Sequence, residues 1–172
     1  MDAIGVLKSA FDGAHMWYQG TIADVTTGEA NQVPPGVAHP IGELALHILH
    51  SEDGMINKVI GGQQMIWERD GWAGKLGIPA LLMQDNAVAR SVKCDPQQLQ
   101  DYARSVFAST AAFLDSLKPE DLDTRKVDMT EDGFGILTLG EFLTQALLGN
   151  TYAHTGEISA LKGVLGKKGY PF

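Results

Sequence analysis

An all-α fold, a four-helix bundle with long crossover connections, is what the sequence predicts, on three observations. Four segments carry apolar residues at three- and four-residue steps, the signature of helices with one buried face. Two of the connections between them are too long for a simple up-down array. Strand-like and helix-like stretches do not alternate as a parallel sheet would require. At 172 residues the chain fits a single domain, 1–172, with a full-sized core.

The first helix is expected from Ala3 to about Val25, where Ile4, Leu7, Phe11, Ala14, Tyr18, Ile22 and Val25 keep helical spacing. His15 and Trp17 fall on its flanks, and His15 is assigned no role beyond local packing. Thr26 to His39 is a loop, since Pro34 and Pro35 forbid helix. The second helix should run from about Pro40 to Ile60 with Ile41, Leu44, Ile48, Met55, Ile56 and Val59 inward, and Gly61 and Gly62 stop it.

Residues 62–95 are the least regular part, with Leu81 to Val92 able to supply a short helix. Two readings are open for Trp67 and Trp72: a lid packed by its tryptophans, or a plug at one end of the core. Asp95-Pro96 pairs an N-cap acid with a proline at the first helical position, which starts the third helix. That helix ends at Lys118-Pro119. A polar link follows in which Val127 to Met129 could be briefly extended, with no sheet evident. Thr138 and Glu141 form a T-x-x-E capping box that opens the fourth helix, whose inward set includes Leu147, Ala153, Ile158 and Val164.

A formal charge of -8 argues against a nucleic-acid partner, because phosphate binding needs clustered Lys and Arg. No stretch reaches the roughly 18 apolar residues needed to span a bilayer, so no membrane partner is expected. The start MDAIGVLKSAF does not read as a secretory signal. One cysteine, Cys94, reads as core filler and suits a cytoplasmic location.

Polar residues interrupt two of the apolar faces: His47 on the second helix, Asn150 and His154 on the fourth. An unsatisfied polar group on a buried face costs on the order of 1 to 3 kcal/mol, so such residues must be hydrogen-bonded or bound to something. Metal sites in bundles are built from inward-facing side chains on different helices, with neutral imidazole the commonest ligand. A lone histidine on an apolar face is more often a satisfied core residue. Two of them on separate helices make a candidate pair.

The segments LALHILHSEDGM and YAHTGEISALKG resemble the second-helix and last-helix motifs of the DinB superfamily, and the closing GVLGKKGYPF resembles the ending of some members. The resemblance implies a four-helix bundle, often a homodimer, holding a divalent metal through three histidines at one end. Some members transfer low-molecular-weight thiols such as bacillithiol or mycothiol. Carried over by motif, His47 matches the first ligand and His154 a last-helix ligand.

The third ligand departs from the pattern, because Asn150 and Glu157 stand where different branches have histidine. Glu157 could complete a two-histidine, one-carboxylate site, or could instead pair with Lys162 or solvent. His50 is a further substitute, or else a solvent-facing or outer residue. Asn150 is a poor ligand for a transition metal and is read as a hydrogen-bond partner that orients His154 or a bound water.

Two function classes follow. One is a metal-dependent thiol transferase or hydrolase using Zn, Ni or Fe, with Glu157 the candidate general base if it is not a ligand. The other is a non-catalytic helical bundle with a degenerate metal site, acting either as a small-molecule-binding protein or as a dimeric stress-related one.

Overall fold

A computed structural model describes residues 1–78 and 90–172. The first long helix, α1, spans Ala3–Ile22 and is capped by Asp2, whose side chain accepts from the Gly5 amide. A single turn, α2 (Thr27–Ala30), precedes α3 (Ile41–Asp53), which runs without interruption into a π-helical stretch, Gly54–Ile60. Two short helices, α4 (Ile66–Arg69) and α5 (Trp72–Leu76), follow. The third long helix is α6 (Pro96–Ser116), with Asp95 as N-cap and Pro96 at its first position, as the sequence predicts. After α7 (Asp121–Thr124), α8 (Leu139–Glu141) leads through π-helical Phe142–Leu148 into α9 (Gly149–Val164). The Thr138–Glu141 capping box is formed in both directions.

Helix α3 packs on α9 and on α6, and α1 packs on the same two partners. Burial divides the interior into two apolar clusters. One gathers Tyr18, Ile22, Leu46, Leu49, Trp67, Trp72, Leu99 and Tyr102, and the other Ile4, Phe11, Ile56, Leu114, Phe142 and Leu147. Trp67 and Trp72 lie within the first cluster against Tyr102, so both rings serve as core at one end. Most of the helix anticipated over 81–92 lies outside the described residues.

Several expectations are corrected. A two-stranded antiparallel hairpin joins β1 (Lys126–Met129) to β2 (Gly135–Thr138), with Val127 opposite Leu137. Its strands have four residues each, too short for alternation to show in sequence, and Gly133 and Gly135 at positive φ make the turn. In the π-helical stretch after α3, Gly61 donates to the Ile56 carbonyl five residues back, which rotates the helical face. Ile56 is thereby buried and Val59 is turned out to solvent. On α9 the buried row is Thr151, Thr155, Ile158 and Lys162, while Ala153 and Val164 are exposed. The π-helical turns ahead of α9 set that rotation, which continues the line of Leu147 through Thr151.

Candidate metal centre

Where α3 crosses α9, His47 and His154 meet edge to face with ring centroids 4.7 Å apart. His154 Nδ1 lies 2.7 Å from Glu157 Oε2, three residues on along α9. His47 Nε2 lies 3.3 Å from Asn150 Oδ1, so Asn150 contacts the histidine of the facing helix rather than His154. His154 and Asn150 are half-buried and Glu157 is exposed. Burial, and then the neighbouring His154, hold the His47 imidazole below its ordinary pKa, which favours the neutral ring that a metal ligand must be.

Glu43, one helical turn before His47, is the residue the sequence reading missed. It is buried, and burial pushes its carboxyl pKa up against the opposing pull of His39 and His154. Its Oε2 comes within 2.9 Å of His39 Nδ1, but off the hydrogen-bonding direction, so neither atom has a hydrogen-bond partner among the described residues. The signal available in sequence was an acid in the same inward row as Leu44 and His47. His50 lies apart from this group, edge-on to Trp67 at 5.1 Å, with its pKa lowered by burial. Lys162 is not the partner of Glu157, since its Nζ donates to the Thr21 carbonyl and to Asp24 at the end of α1. Cys94 is buried and its thiol is pushed up to about 12, which leaves it inert.

Among the described residues no three His, Cys, Asp or Glu side chains come together as a metal-binding group. The donors at hand are two imidazoles and one amide oxygen. That set fits two-point binding of a borderline divalent ion, and the Glu157 carboxylate on His154 Nδ1 is the arrangement that leaves Nε2 free for a metal. Among the described residues no helix is long and apolar enough to cross a membrane.

The family model of the DinB superfamily matches residues 10–158. A solved structure described as "Crystal structure of the conserved protein of locus from Enterococcus faecalis" superposes with a TM-score of 0.82 at 23% sequence identity, covering 97% of this chain and 99% of that one. At that identity the likeness concerns the fold. No curated protein matches the sequence.

Proposed function

From the premise that the chain belongs to the DinB superfamily, we propose that it is a divalent-metal protein whose ion is held by His47 and His154 at the crossing of α3 and α9. The observation that carries this reading is the edge-to-face imidazole pair with a carboxylate on the rear nitrogen of one ring. In this reading the four long helices form a single-domain four-helix bundle, and the chain associates as a homodimer. Zn, Ni or Fe suits the donors, and the bound ion would lower the pKa of a coordinated thiol or water.

The chain's own groups have distinct tasks. His47, kept neutral by burial, offers a lone pair. Glu157 fixes the His154 tautomer and adds negative charge behind the ring, and it is the candidate base once displaced from Nδ1. A low-molecular-weight thiol is the co-substrate that the family suggests. A second reading is favoured by Asn150: with an amide opposite His47, the centre would be a non-catalytic site that binds a small molecule.

Titration of untagged protein with Zn and Ni tests the metal reading, with about one equivalent expected per chain and loss of binding in His154→Ala. No saturable uptake by the wild-type chain would overturn it. Asn150→His supplies a third imidazole beside His47 and should tighten binding by about tenfold or more. Unchanged affinity in a folded Asn150→His protein would remove His47 and His154 as the ligands.

A further inference from the structure

We propose that His39 and Glu43 form a second cation site, which takes an octahedral divalent ion of the manganese(II) kind. The pair stands at the start of α3, with Glu43 one turn before His47, and it does not require an ion between His47 and His154.

Two donor atoms meet there without bonding to each other. Glu43 is 4% exposed, and its Oε2 stands 2.9 Å from His39 Nδ1. Neither atom has a hydrogen-bond partner among the described residues, a costly state for a buried carboxylate oxygen. A simple ion pair would aim the Nδ1 proton at the oxygen, and here that direction is missed. Lone pairs that converge on a common ion, by contrast, point off the line joining the two donors. Donors at right angles and about 2.1 Å from an octahedral ion lie about 3.0 Å apart, whereas a tetrahedral ion spreads them to about 3.4 Å. The observed 2.9 Å matches the octahedral case. One carboxylate, one imidazole and water suit manganese(II). The ion displaces any proton on Nδ1 as it binds, so the site does not depend on the tautomer of the free chain.

The backbone holds the pair in a fixed frame. His39 precedes Pro40, the N-cap of α3, and a residue before proline is confined to extended backbone. Glu43 follows Gly42, which is clamped in the first turn: a Cβ there would meet the Ala30 carbonyl oxygen at 3.1 Å and Cys94 Cβ at 3.2 Å. The His39 side chain is 32% exposed, so water reaches the ion from that side. The fields of His154 and Glu157 on α9 also reach the Glu43 carboxyl, which places this pair beside the first centre.

The test is titration of the untagged full chain, preloaded with Zn, with manganese(II) chloride, the free ion being read from its EPR signal. Saturable uptake of about one equivalent is expected. His39→Ala, a change in the loop before α3, and Glu43→Gln should each raise the manganese Kd by at least about tenfold. Glu131→Gln removes the same charge from the exposed turn between β1 and β2 and should leave that Kd unchanged. His154→Ala should take up manganese as the wild type does, so the two sites fail separately: absence of Zn binding concerns His47 and His154 alone. No saturable manganese uptake, or a Kd in either His39→Ala or Glu43→Gln that equals the Glu131→Gln value, would overturn the proposal.

Discussion

Asp53 shows how much one buried side chain can organise. It is 0% exposed and accepts from the backbone amides of Ile66 and Trp67, from the Tyr102 hydroxyl at 2.6 Å and from Asn57. It therefore caps α4 from another helix. Asp53→Ala would strand buried donors on three elements and should cost on the order of 3 kcal/mol or more in urea unfolding. A loss under about 1 kcal/mol would mean that water replaces the carboxylate. Histidines act at this scale too. His47 and His50 are both held below the ordinary 6.5 by burial, so the unfolded chain binds their protons more readily. Each contributes stability that is complete above pH 6.5 and is lost as the pH falls through the folded value. Glu43, raised by burial, has the opposite sign: its contribution is present below 4.5 and is lost as the pH rises through its folded value. The test is therefore a difference. His47→Gln/His50→Gln should lose less stability than the wild type between about pH 7 and pH 5.5, and parallel profiles would contradict this. Of the site, the His47–His154 pair was legible because two polar residues broke apolar rows. Which histidine Asn150 would meet depends on the rotation of α9 against α3, which no single segment encodes.

Among the elements, the long helices were legible where local chemistry punctuates them. Asp95-Pro96 and Thr138-x-x-Glu141 set their starts in sequence and in structure alike. Thr138→Ala removes a cap that bonds the Glu141 amide at 3.1 Å and should cost about 1 kcal/mol. The π-helical stretches and the hairpin were not legible. A π turn keeps the apolar composition and changes only the phase, and the hairpin depends on backbone pairing over four-residue strands. The C-terminal segment is held by close approach rather than by a periodic pattern. A Cβ on Gly20 would meet Pro171 Cγ at 2.7 Å, and Phe172 and Tyr170 pack around Trp17. Gly20→Ala should therefore lift Pro171 and Phe172 from α1 and shift Trp17 emission to the red. Trp67 and Trp72 sit in the distant core cluster and should not respond. An unchanged spectrum would show that the tail accommodates the methyl group.

Across the whole molecule, the boundary between the two apolar clusters is a layer of polar residues, one from each long helix. His15 lies between Ala14 and Tyr18, Glu52 between Leu49 and Ile56, Thr110 between Phe107 and Leu114, and Thr151 between Leu148 and Ile158. Three of them form one unit, since His15 and Thr110 share a single oxygen of Glu52. Glu52→Leu alone would leave His15 and Thr110 buried without their acceptor, a loss on the order of 2 to 4 kcal/mol. The triple variant His15→Leu/Glu52→Leu/Thr110→Val removes donors and acceptor together and joins the two clusters into one apolar interior. Its loss of stability should be smaller than that of Glu52→Leu alone, because no polar group of the unit remains without a partner. Zn uptake at His47 and His154 should persist in the triple variant. If instead the triple variant is less stable than the single one, the layer is held by its packing shape, and the shared hydrogen bonds on Glu52 are secondary to it.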